Sequence, residues 1–125
     1  MTTLLLVDDE AEFLSELDEL LGGCGFRCLC AHDAEQALSL LEAHPDIELV
    51  ITDLRMPDAS GLSLLQRLRG SARGETLPVI GMSGNADMHD VIGLLRLGIV
   101  DFLPKPIHYE HLFTVLRRLF PNHQI

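Results

Sequence analysis

The chain is short of cations. Its 125 residues carry 9 Lys+Arg against 19 Asp+Glu, a formal net charge of −10, and one lysine only, Lys105. A surface of that sign repels phosphate backbones and disfavours direct contact with DNA or RNA. No apolar run approaches the ~20 residues that span a bilayer. The first residues lack both the basic segment and the cleavage site of an export signal, so no membrane association and a cytoplasmic location are expected. Cysteine is scarce as well: Cys24, Cys28 and Cys30 cannot all pair and show none of the usual zinc spacings, which leaves reduced thiols of the core. His108 and His111 fall on one helical face without a third ligand, so solvation is expected for them. Linkers, low-complexity tracts and repeats are missing. What is present is a 47% hydrophobic chain of mean hydropathy +0.23, which rules out disorder and suits a single domain over 1–125.

Short apolar runs alternate with longer segments of helical period. The runs are Leu4–Val7, Phe26–Ala31, Leu49–Ile51, Pro78–Met82 and Ile99–Leu103. Most are apolar throughout rather than alternating, as parallel strands covered on both faces are. The first predicted helix spans Ala11 to Leu21, with Phe13, Leu14, Leu17, Leu20 and Leu21 inward and Gly22-Gly23 to stop it. The second opens at Asp33, with Gln36 completing a capping-box-like pair, and ends before Pro45. The third follows Ser60-Gly61, the fourth covers about 86–97 and closes at Gly98, and the fifth covers about 108–120. Strict β-α alternation demands right-handed crossovers and an open α/β sheet, in which sites form beyond the carboxyl ends of the strands.

Those ends are polar in a consistent way. Strand one leads into Asp8-Asp9-Glu10, strand three into Asp53, strand four into Ser83-Gly84 and strand five into Pro104-Lys105-Pro106. Taken singly, each has an ordinary explanation. Asp8 and Asp9 could cap the first helix, Asp53 could be a turn residue, Ser83 a loop serine and Lys105 a solvated charge. Their convergence on one edge of one sheet argues for a common site. Crowded carboxylates repel one another unless a cation sits between them. All-oxygen ligands without Cys or clustered His favour a hard ion, Mg²⁺ rather than Ca²⁺. A carboxylate beside such an ion can attack phosphorus, with charge neutralisation supplied by the ion, the ammonium and a hydroxyl.

With these motifs, Leu-Leu-Val-Asp8-Asp9-Glu10, Asp53-Leu-Arg-Met-Pro with Gly61 following, Ser83 after strand four and Phe102-Leu-Pro-Lys105-Pro106, the chain resembles a receiver domain of the two-component response-regulator family over residues 3 to 120. The resemblance implies a flavodoxin-like (βα)5 three-layer α/β sandwich with a parallel sheet of order 2-1-3-4-5. It implies that Asp53 is the phosphoacceptor, taking its phosphoryl group from a phosphohistidine of a sensor histidine kinase or a histidine phosphotransfer protein. Asp8, Asp9, Asp53 and the Arg55 main-chain carbonyl match the ligands of Mg²⁺ (or Mn²⁺). Lys105 matches the phosphate-binding lysine, Ser83 and Phe102 match the coupled switch pair, and the Lys105–Pro106 peptide is expected to be cis. Three departures stand out: serine rather than threonine at 83, glycine rather than alanine at 84, and His108 where a stronger N-cap is common.

The same resemblance places the output on the face formed by the fourth predicted helix, strand five and the fifth predicted helix. Met88, Val91, Ile92, Leu94, Leu95 and Leu97 are many apolar residues for one inward stripe, which suits either deep packing or a contact surface. The contact would be a downstream effector or a second copy in a phosphorylation-dependent dimer. Arg55 and Asn85 flank the route of attacking water. The chain would catalyse only its own phosphorylation and dephosphorylation. A hydrolytic phosphatase would need an Asp-x-Asp nucleophile, whereas Leu54-Arg55 follow Asp53; a flavin protein would need a phosphate loop where Asp8-Asp9-Glu10 stand. A docking module with a degenerate site is disfavoured by the intact polar set. No effector follows residue 120 in this sequence, which fits either a stand-alone receiver or a piece of a longer regulator or hybrid kinase.

Overall fold

A computed structural model describes residues 1–55, 61–71, 74–84, 92–93 and 95–125. The elements are β1 (Thr3–Val7), α1 (Ala11–Gly23), β2 (Arg27–Ala31), α2 (Ala34–Ala43), β3 (Ile47–Asp53), α3 (Gly61–Arg69), β4 (Val79–Ser83), β5 (Asp101–Pro104) and α4 (Tyr109–Leu119). The five strands form one sheet of order β2-β1-β3-β4-β5, every pair parallel. The expected flavodoxin-like order is therefore the one observed. Strand order reverses beside β1, so the crevice beyond β1 and β3 is where such a sheet holds a site.

The unbroken apolar runs are explained by two cores. Leu5, Val7, Val50 and Val79 pack with Ala34, Ala37 and Leu41 of α2 and Leu64, Leu65 and Leu68 of α3. Leu4, Leu6, Leu49, Ile51, Ile80, Met82 and Leu103 pack with Leu14, Leu17 and Leu21 of α1 and Leu112, Val115 and Leu116 of α4. Neighbours along a strand point to opposite faces, so a strand covered by helices on both sides is apolar at every position. Among the described residues, no helix is long and apolar enough to cross a membrane.

Helix ends follow the local chemistry, with one correction. Gly22 and Gly23 do not stop α1; they are its last residues. The stop is Gly25 at φ +89°. Phe26 N–H donates to Leu21 O (3.1 Å) and Gly25 N–H to Gly22 O (3.0 Å), the paired bonds of a Schellman end. That end needs a left-handed residue, which glycine supplies without steric cost. Asp33 caps α2 as expected, accepting from Gln36 N–H (2.7 Å), while the Gln36 side chain accepts from His32 N–H (2.8 Å). His108 precedes α4 without a side-chain cap bond.

Four features depart from or extend the reading. The cysteines are free but half-buried rather than enclosed. His111 is not merely solvated: its Nε2 lies 3.2 Å from Asp101 Oδ2, an oxygen that Arg118 also approaches at 3.5 Å. The tail after α4 folds back, with His123 stacked on Phe26 (3.9 Å between ring centroids) and Ile125 against the second core. Arg69, at the end of α3, donates to Leu97 O (2.9 Å), Leu77 O (2.7 Å) and Gly74 O (2.5 Å). It thereby ties that helix to the entrance of β4 and to the end of the 92–98 segment. Ile92–Gly93 and Leu95–Arg96 are helical, and Gly98 sits at φ +77° where closure of the fourth predicted helix is expected. Met88, Val91, Leu94 and Asn85, with Met56, Pro57 and Ser60, lie outside the described residues.

Candidate functional site

β1 and β3 deliver their carboxylates to one crevice. Asp8, one residue past β1, is fully buried; Asp53, the last residue of β3, is 6% exposed; Asp9 is open to solvent. One carboxylate oxygen from each of the three lies within 4.8 Å of the others. β5 brings the ammonium. The Lys105–Pro106 peptide is cis, as expected, and Lys105 N–H donates to Ser83 O (3.0 Å), pinning the loop after β5 to the end of β4. Lys105 Nζ reaches Asp8 Oδ2 at 2.6 Å and Asp53 Oδ2 at 3.5 Å.

Each buried aspartate divides its oxygens between two tasks. Asp8 Oδ1 accepts from Glu10 N–H (2.9 Å) and Asp53 Oδ1 from Arg55 N–H (3.1 Å), so each holds its own turn. The second oxygen of each faces Lys105. This arrangement answers the burial of Asp8, because a charge out of water persists only when paired and hydrogen-bonded. Burial pushes the Asp53 pKa up; the Arg55 N–H and Lys105 pull against it, Asp8 adds to it, and the net shift is upward. For Lys105, burial works against the ammonium, but the hydrogen bond to Asp8 and the charges of Asp53, Asp8 and Glu10 outweigh it, and its pKa is raised. The pocket therefore keeps its cation.

Ser83, the last residue of β4, is 3% exposed. Gly81 pairs with Phe102 and Ser83 with Pro104, so Ser83 and Phe102 are diagonal neighbours on one face of the sheet. Phe102 is half-buried against the first core. A Cβ at Gly84 would lie 3.5 Å from Lys105 Cβ, an ordinary contact, so crowding does not demand glycine there. Arg55 is exposed at the exit of β3. The reading of the sequence missed Phe13, taken only as an inward residue of the first helix. Its ring centroid lies 4.5 Å from Lys105 Nζ. The available signal was an aromatic in the first turn of the helix that follows Asp8-Asp9.

The donor set fits a hard divalent cation. Three carboxylate oxygens gathered within 4.8 Å suit an ion that takes oxygen ligands at ~2.1 Å, and solvent-exposed Asp9 has room to move toward it.

A family model described as the response regulator receiver domain matches residues 4–117. The chain belongs to the response-regulator receiver family. It is 39% identical over 119 residues to the transcriptional regulatory protein CpxR of Klebsiella pneumoniae, covering 95% of this chain and 49% of that protein. It is 35% identical over 118 residues to the two-component response regulator PprB of Pseudomonas aeruginosa, covering 94% and 43%. This receiver thus spans about half, or less, of the length of the relatives it matches. Among solved structures, a response regulator receiver protein from Pseudomonas putida superposes with a TM-score of 0.90 at 36% identity, covering 93% of this chain and 95% of that one.

Proposed function

We propose that this receiver is a phosphorylation switch in which Asp53 takes the phosphoryl group from a phosphohistidine of a sensor histidine kinase or a histidine phosphotransfer protein. The carrying observation is the convergence of three carboxylates with one ammonium at the β1/β3 crevice. An Asp53 carboxylate oxygen forms a bond to phosphorus as the P–N bond breaks, and the departing imidazole keeps the electron pair. Asp8, Asp9, Asp53 and the Arg55 carbonyl would hold Mg²⁺ (or Mn²⁺), which supplies charge neutralisation for one phosphoryl oxygen. Lys105 neutralises a second, and the Ser83 hydroxyl donates to a third. Arg55, exposed beside the acceptor, screens the approach of hydrolytic water.

Transfer adds about −1.5 to −2 charges at the crevice. Ser83 moves toward the new oxygens, and Phe102, its diagonal neighbour, takes up the space released. The readout is the face that carries Ile92 and Leu95 together with β5 and α4, which docks a downstream effector or a second copy of the chain. Ile92 and Leu95 are 44% and 60% exposed, which favours a contact surface over deep packing. Unchanged partner binding and self-association of phosphorylated Ile92→Glu would remove that part.

The deciding experiment is intact mass after incubation with acetyl phosphate and Mg²⁺, beside an Asp53→Asn control. One base-labile phosphoryl adduct that needs Mg²⁺ and vanishes in the control is the expected result. No adduct together with no Mg²⁺ binding would overturn the reading in favour of a docking module.

A further inference from the structure

Among the described residues, the Lys105 ammonium meets three electron-rich groups. Two are the carboxylates of Asp8 and Asp53; the third is the ring of Phe13, 4.5 Å from Nζ to centroid. We propose that Phe13 is a positioning residue, its ring face steadying the Lys105 ammonium where it meets the phosphoryl group. The inference rests on Asp53 being the phosphoacceptor.

The need for such a residue follows from the unequal grip on Lys105. Asp8 holds the ammonium at 2.6 Å and Asp53 only at 3.5 Å. A flexible side chain held mainly by a fully buried aspartate has to shift toward an oxygen bonded beyond Asp53. Another carboxylate at the Phe13 position would hold the cation equally well, but it would repel the incoming phosphoryl group. A ring attracts a cation through its quadrupole without adding net charge. The attraction is spread over a face rather than aimed along a bond, so the ammonium can slide across it. Phe13 is well placed for this role. It lies in the first turn of α1, the helix that joins β1 to β2, and packs against the second core beside Leu14 and Leu17. Lys105 itself is only 19% exposed, so water screens the contact weakly.

The test uses the fact that Lys105 is the only lysine. Lysine-selective isotope labelling yields signals from one side chain, and a ring face above the ammonium moves the adjacent ε-methylene protons upfield. Phe13 is replaced site-specifically by phenylalanines bearing successive ring fluorines, which drain the negative face while keeping the shape, and in a separate protein by leucine. The rate of phosphorylation by acetyl phosphate with Mg²⁺ is followed by intact mass, and thermal midpoints report folding. Expected are an upfield ε-methylene shift in the native protein, its loss in Phe13→Leu, and a rate that falls with each fluorine by about fivefold across the series. An ε-methylene at its free-lysine position, or a rate independent of fluorine at constant thermal midpoint, would overturn the inference. If the native protein takes up phosphoryl and the fluorine series is flat, the positioning role alone fails. If the native protein takes up none, the phosphoacceptor reading fails and this inference falls with it.

Discussion

Replacing Asp53 by Asn should stabilise the metal-free protein at neutral pH. One oxygen from each of the three carboxylates lies within 4.8 Å of the others, so Asp8 and Asp53 repel by at least about 3.5 kcal/mol at an effective dielectric of about 20. Asp9 is solvated, and water reduces its share to about 1 kcal/mol. Lys105 at 3.5 Å returns about 4.7 kcal/mol of attraction to Asp53 on the same scale. These terms nearly cancel, and what remains is the cost of holding an ionised carboxylate in a site that is 6% exposed. Asparagine keeps an Oδ1 to accept from Arg55 N–H and removes that cost. A gain of about 1–2 kcal/mol is expected, or roughly 5 °C in thermal midpoint for a domain of this size.

The pH dependence has a definite sign. The Asp53 pKa is raised in the folded state, so the stability tied to its proton is fully present below the ordinary 3.8 and is lost as pH rises through the folded value. Asparagine carries no such loss, so the variant's advantage should grow as pH rises through the folded value and fade below 3.8. Mg²⁺ supplies a second handle. A cation held by the native trio stabilises it by RT ln(1 + [L]/Kd), about 1.4 kcal/mol at ten times Kd, and stabilises the variant less. Urea melts in EDTA and in Mg²⁺, at pH 7 and at pH 3.5, measure all of this. A destabilised Asp53→Asn protein in EDTA at pH 7, or a native-minus-variant difference that Mg²⁺ leaves unchanged, would refute the electrostatic account.

Other parts of the molecule give simpler expectations. Arg69→Met should cost about 2–4 kcal/mol in urea unfolding, because the carbonyls of Gly74, Leu77 and Leu97 lose a charged donor; a loss under 1 kcal/mol would mean that water replaces it freely. Leu17→Ala, at a fully buried position between α1 and the sheet, should cost about 2–5 kcal/mol by the same assay. Cys28 is pushed up to about 12 by burial and by the neighbouring Asp18 and Cys30. Its thiolate fraction at pH 8 is about 10⁻⁴, and peptide mapping after brief iodoacetamide treatment should find it far less modified than a free thiol.

The parts of this protein legible from sequence are those in which one residue's chemistry announces its own role. Leu4–Val7 is apolar at every position, which signals helices on both faces, and both cores are present. Asp33 and Gln36 declare a helix start by their spacing, and the cap bonds form. Asp8, Asp53, Ser83 and Lys105 were found because polar groups at strand ends are conspicuous against apolar strands. What escaped notice depends on pairs whose members look ordinary alone. Gly22-Gly23 resembles a stop, but glycine ends a helix by adopting positive φ, and only Gly25 does so here. Phe13 has the period of a core residue and serves as one, so nothing local distinguishes its second contact. That contact depends on a residue 92 positions away in sequence, delivered by β5, and only the three-dimensional crossover of α1 past the sheet edge brings the ring to the ammonium. A side chain that packs and polarises at once is invisible to patterning, because patterning reads the packing and stops there.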